Sequence, residues 1–232
     1  MEEHNNPSDT KQRLIDAGVR LFAMHGYEAT STRMIAKEAN VNVATIAFHF
    51  KNKEGFYQAV LDYVAQALNQ PLRPLLDHEA RLRSANSITP EVAWVLIEEY
   101  VDAMLDTVVS IQSFEHAHYL SLLYLEQLYH PGNSYPITRV ICKEMESVLT
   151  RLLQDYRREI DIDTATTISR IVSSSIVAFG EHPMFIRRAL GLEDDAPLPE
   201  KIVKTTRAFI LNSIRSFHPQ SEDGEEEPQN ER

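Results

Sequence analysis

Between Thr30 and Phe56 the chain reads TSTRMIAKEANVNVATIAFHFKNKEGF. The side chains here with chemistry to offer are suited to recognition rather than to making bonds. Arg33, Lys51 and Lys53 are cations, and cations neutralise phosphate oxygens and fix a protein on a duplex. Thr32 and Thr45 carry short hydroxyls, and Asn42 a short amide, among the small or apolar residues Val43, Ala44, Ala47 and Phe48. A face of this kind can lie close to base edges, touching thymine methyls through Val43, Ala44 or Ala47 and a base edge through the Thr45 hydroxyl. Arg33 can also reach a guanine.

Such a face needs elements that present it. Ile35, Ala36, Ala39, Val41, Ile46 and Phe50 recur at helical spacing on either side of Asn40, which predicts two short helices joined by a tight turn. Asn tolerates the left-handed conformation required for the reversal, and Asn42 is placed to cap the second helix. The two helices share one core, leaving Asn42 to Thr45, Ala47 and Phe48 outward, in helix-turn-helix geometry. A plain packed helical hairpin would have the same outline.

The segments TRMIAKEANV and TIAFHFKNKEGFYQAV resemble the DNA-binding domain of TetR-family transcriptional regulators over about fifty residues. The resemblance implies that Thr32 and Arg33 open the second helix against DNA, and that Val43, Ala44, Thr45, Ala47 and Phe48 face the groove. It further implies that His49 and Lys53 touch the sugar-phosphate backbone. Asn40 stands where that family usually has Gly, Ala47 where many members carry Tyr, and Phe48 lacks a hydroxyl for phosphate.

The chain's net charge of −11 is unusual for a DNA binder until it is divided along the sequence. Residues 1–60 hold seven Lys+Arg and seven Asp+Glu, and the tail from Pro219 holds six acids and one Arg. Within Ala29–Lys53 four cations face one Glu, so the basic patch coincides with the motif. An acidic remainder repels DNA elsewhere and favours one docking orientation.

Seven Gly and eleven Pro, with apolar residues at helical rather than alternating spacing, predict an all-α protein. The expected organisation is a disordered N-terminus (1–9), a three-helix helix-turn-helix DNA-binding domain (10–56), a larger helical effector-binding and dimerisation domain (57–218) and an acidic disordered tail (219–232). Without an apolar run of membrane length or a secretion signal the expected location is the cytoplasm, with no membrane partner. The lone Cys142 fits a reducing compartment and reads as a small buried hydrophobe, with redox sensing as the alternative.

Ser8, Asp9 or Thr10 is expected to cap a first helix ending at His25-Gly26, and Asn52 a fourth helix interrupted by Pro71 and Pro74. That fourth helix would link the reading head to the rest of the molecule. Thr89-Pro90-Glu91 opens a helix after a polar segment, Pro136 opens a long one to about Glu159, and Asp161 or Asp163 caps the next. These last two are expected to pair with their copies in a second subunit, or else to be buried within the chain. A short helix from Pro183 and a final one from Glu200 complete the chain. LEQLYHPG and IVAFGEHPMFIRRALGL more distantly resemble a C-terminal domain of some TetR-type regulators of export genes.

Trp94, Tyr100, Met104, Phe114, His118 and Tyr124 are the candidates for lining a small-molecule pocket, being apolar or aromatic with a few polar groups. Ordinary core packing accounts for the same pattern. In Glu115-His116-Ala117-His118 the two histidines point to opposite sides of a helix, and Glu115 with His118 makes only two ligands, with His130 a remote third. No metal or cofactor is therefore assigned.

The expected function is a homodimeric, ligand-responsive regulator, a repressor released from a pseudo-palindromic double-stranded DNA operator by an unknown small molecule. An activator or effector-independent regulator is the alternative. A helical enzyme or metal protein is a more distant one, which no G-x-S-x-G, P-loop, Cys-pair or HExxH pattern supports.

Overall fold

The computed structural model describes residues 7–110, 117–129, 136–139, 144–181, 183–193 and 196–218, and among these there is no strand. Phe114, the Glu115-His116 pair, His130, Cys142 and the acidic tail lie outside them.

Helix α1 (Pro7–Ala29) buries Leu14, Ile15 and Phe22 as their spacing predicts. It starts before the expected caps and runs past Gly26, which breaks it with φ 75° before one last turn. Thr30, fully buried, repairs the break by donating its hydroxyl to the carbonyls of Gly26 (2.8 Å) and Leu21 (3.1 Å). Helices α2 (Thr32–Glu38) and α3 (Ala44–Phe50) follow, then α4 (Lys53–Asn69), whose first turn is capped by Asn52 accepting from the Gly55 amide at 2.7 Å. Gly18 lets α1 and α4 cross closely, because a Cβ there would lie 2.6 Å from the Phe56 ring.

Helix α4 ends at Asn69, just before the prolines expected to interrupt it, and each proline also starts a new turn. Pro71 opens a 3-10 turn (Gln70–Leu72) and Pro74 opens α5 (Arg73–Ser84), positions where a missing N–H costs nothing. Helix α5 runs into the segment around Arg81 to Ser87 that reads as polar, and it buries only Leu75 and Glu79. Glu79 is held by Arg83 (2.5 Å), which also grips Asp155 (2.7 Å), so burial of the carboxylate is compensated.

Helix α6 (Pro90–Ser110) begins at the expected cap, with the Val92 amide donating to Thr89 Oγ1 at 3.4 Å. Helix α7 (Ala117–Tyr129) and the short α8 (Pro136–Arg139) follow. Of the single helix expected from Pro136 to about Glu159 the described parts are α8, a π turn at residues 144–146 and, directly after it, α9 (Ser147–Tyr156), which ends three residues short of Glu159. Asp161 caps α10 (Ile162–Glu181), accepting from the Thr164 amide at 2.8 Å. Helix α11 (Pro183–Ala189) closes near Gly191 with φ 67°, and α12 (Glu200–Ser216) ends the fold.

Two apolar cores hold these helices. One joins α6, α9 and α10 with residues of the 3-10 turn, α5 and α12, around Tyr100, Leu149, Leu152 and Ile176. The other joins α1 to α4 with Leu120, Leu122 and Leu123 of α7 and Ile137 of α8. Val177 of α10 touches both. Polar clamps tie the first together, among them a forked pair from Arg207 on α12 to Asp102 on α6 (2.5 and 2.9 Å). The stripe of α9 is spent inside the chain, where Val148, Leu149, Leu152 and Leu153 are buried.

Candidate nucleic-acid interface

The reading head is built from local rules. Ser31 caps α2 by accepting from the Met34 amide at 3.2 Å. At its other end Asn40 takes φ 52°, with the Val41 amide reaching the Ala36 carbonyl (2.9 Å) and the Asn40 amide that of Lys37 (3.2 Å). This is the paired closure of a left-handed helix end, so Asn does here what Gly would do. Asn42 Oδ1 then receives the Ala44 amide at 2.8 Å, launching α3.

Ile46 and Phe50 turn α3 inward. Asn42, Val43, Ala44, Ala47 and Phe48 stand exposed, with Thr45 and His49 half-buried at the edges of the same strip. Phe48 is 83% exposed and meets the His49 ring edge-on at 5.0 Å. A large aromatic in that position presents an apolar surface where a thymine methyl would lie. Arg33 is exposed on α2 beside the half-buried Thr32, and Lys51, with φ 70°, is exposed just past α3.

Lys53 is differently placed from the free phosphate ligand that its sequence position suggests. Its ammonium lies 4.2 Å from the centroid of the Tyr27 ring and donates to the Glu28 carbonyl at 3.4 Å. Tyr27 and this contact went unread in the sequence, because 26 positions separate the partners and only the break at Gly26 brings them together. Arg20 binds Glu38 at 3.2 Å, locking α1 to α2; an isolated Arg and an isolated Glu 18 positions apart carry no sequence signal. Lys11 lies 6.0 Å from the Phe50 ring centroid, over the inward side of α3.

The five described candidates for the pocket are not gathered into one site. Trp94, Tyr100 and Met104 belong to the first core. The Trp94 ring meets Tyr156 at 4.9 Å and carries the Arg215 guanidinium at 4.3 Å. Burial pushes the Tyr100 hydroxyl up to about 12, so it stays protonated beside Ser173. His118 and Tyr124 sit on α7, which packs with the reading head: His118 is half-buried, held below its ordinary pKa first by burial and then by Arg20, and Tyr124 is exposed. The spacing that put these residues together holds along one helix and says nothing about which core each helix joins. Among the described residues there is no group of three His, Cys, Asp or Glu side chains able to hold a metal.

Residues 14–60 match the family of bacterial regulatory proteins called the tetR family, the stretch just built from α1 to α4. The chain is 48% identical over 52 residues to the HTH-type transcriptional regulator YvkB of Bacillus subtilis, a match covering 22% of this chain and 28% of that protein. It is 27% identical over 156 residues to the HTH-type transcriptional dual regulator CecR of Shigella flexneri, covering 64% of this chain and 68% of that one. The crystal structure of HlyIIR, a hemolysin II transcriptional regulator, superposes with a TM-score of 0.57 at 21% identity, over 88% of this chain and 98% of that one, which shows a shared fold. Motif, helix geometry and family match fall on the same residues, and residues 14–60 are a DNA-binding head of the tetR family of bacterial regulatory proteins.

Proposed function

We propose that this chain acts as a homodimeric repressor that leaves a pseudo-palindromic operator when a small molecule binds its effector region. The observation that carries the reading is the head itself: an exposed, mostly uncharged strip on α3 bracketed by Arg33, Lys51 and Lys53, so base contact and phosphate contact are divided as sequence-specific binding requires. Two such heads related by a two-fold axis read two half-sites. The dimer face is assigned to α10 and α12, which pack on one another and expose Ile171 and Phe209. Trp94, Tyr100 and Met104 on α6 are the retained candidates for meeting the effector. The effector works by binding the operator-bound and operator-free states with different affinity.

The test is binding to the upstream intergenic region of the chain's own gene, titrated over a range of salt against random DNA. Six phosphate neutralisations, three from each subunit, predict a log–log salt slope near roughly −5. That slope with protection of a pseudo-palindrome supports a dimeric regulator. No preference over random DNA counts against it.

A further inference from the structure

The Lys53 ammonium is held by the protein's own groups. It lies 4.2 Å from the centroid of the Tyr27 ring and donates to the main-chain carbonyl of Glu28 at 3.4 Å, and Lys53 is half-buried. Neither contact neutralises its charge. Arg13 and Arg20 of the same head are spent differently, on the carboxylates of Asp9 (3.4 Å) and Glu38 (3.2 Å).

The ring that carries Lys53 is itself fixed. Gly26, with φ 75°, breaks α1 just before Tyr27, and the buried Thr30 closes the break by donating to the Gly26 carbonyl at 2.8 Å. Tyr27 stacks on Phe22 at 6.1 Å and meets Tyr57 at 4.9 Å, and both of these neighbours are buried. Lys53 and Tyr57 stand four positions apart on α4 and so share a face of that helix, which brings both to the same ring.

The place suits a phosphate ligand. Glu28 to Ser31 is the stretch that leads into α2, where Thr32 and Arg33 are proposed to meet DNA. An ammonium has three N–H donors, so with one on the Glu28 carbonyl the cation keeps donors, and its full charge, for phosphate. A long side chain free in solvent gives up rotamer freedom when it binds. Lys53 has already given up part of its own.

We infer that Tyr27 is a positioning residue for DNA binding: its ring, with the Glu28 carbonyl, holds the Lys53 ammonium at the entry to α2, where it meets phosphate without leaving the ring. Tyr27 acts through Lys53 and not by touching DNA. The inference rests on the phosphate role proposed for Lys53.

The test is a double-mutant cycle read as affinity for a random duplex. Tyr27→Leu removes the aromatic face and is expected to weaken binding about threefold, a size within the cost of immobilising one long side chain. Tyr27→Phe keeps the face and should bind as the native chain does. In the Lys53→Ala background, Tyr27→Leu should change nothing further. A loss that persists undiminished in that background marks a merely structural role and overturns the inference. So does an unchanged or raised affinity in Tyr27→Leu alone, or an equal loss in Tyr27→Phe. If Lys53→Ala binds the duplex as the native chain does, the phosphate role of Lys53 fails and the positioning role falls with it. A loss from Lys53→Ala without one from Tyr27→Leu sinks the positioning role alone.

A second readout needs no change at Tyr27. With lysines labelled at the ε-carbon, the Lys53 methylene is assigned by its absence from Lys53→Ala. It should resonate upfield of free lysine through the ring current and stay there when the duplex saturates the native chain. A Lys53 signal at the free-lysine position, without DNA or with it, overturns the inference.

Discussion

The roles proposed for Lys53 and Thr45 lie on either side of the division of labour in DNA recognition. A cation serves phosphate, which every sequence presents, and a hydroxyl serves a base edge, which only some do. Lys53→Ala is expected to weaken binding to operator and random duplexes alike and to flatten the dimer's salt slope by about two. Thr45→Ala should cost about 1 kcal/mol on the operator alone and relax preference there. Titration of both duplexes at several salt concentrations separates the two, and equal losses on both duplexes for both variants would contradict the roles. At this scale the sequence is legible where chemistry is local. Asn42 and Asn52 accept from backbone amides two and three positions away, within the reach of a short side chain, and Asn40 turns the chain through its own backbone. Lys53 over Tyr27 and Arg20 on Glu38 depend on how helices cross, which no spacing encodes.

Helices differ in how openly they declare their partners. Helix α10 was readable to its cap, since Asp161, a helical stripe and a clear start agree. Helix α5 was not, because it buries a carboxylate, Glu79, that is satisfied by Arg83, whose other partner Asp155 is 72 positions away. Helix α7 is apolar on several sides, so its periodicity marks a helix without choosing a neighbour; it joins α1 and places His118 near Arg20. His118 is held below its ordinary pKa, so the unfolded chain takes up a proton before the folded one does. Stability from this group is therefore complete above about pH 6.5 and is lost as pH falls through the depressed folded value. The melting temperature should fall between about pH 7 and pH 5, and His118→Gln should flatten that fall. Thermal melts across this range decide it; curves of the same shape for both proteins would exclude His118 as a source.

At the scale of the molecule, the family and the all-α architecture were open to reading because the head is a compact local motif and helical periodicity dominates the rest. The assembly surface was not. Both α9 and α10 show long apolar stripes, and only the fold reveals that α9 is enclosed while α10 and α12 expose Ile171 and Phe209, the latter 73% accessible. Ile171→Glu with Phe209→Glu should convert the proposed dimer to monomers at micromolar concentration while leaving the helical content intact, as sedimentation and circular dichroism would show. A dimer that persists in this variant would place the interface elsewhere.

The sharing of one core by α1 to α4 and α7 sets a limit on modularity. A head exchange could be cut at residue 56, where the motif quoted from Thr30 to Phe56 ends. Here that cut would seat foreign α1 to α3 side chains against a native α4 and the native Leu120, Leu122 and Leu123, and the new protein would inherit a mismatched seam. In this molecule the transplantable unit is discontinuous in sequence: the head must travel with α4 and with the face of α7 that completes it.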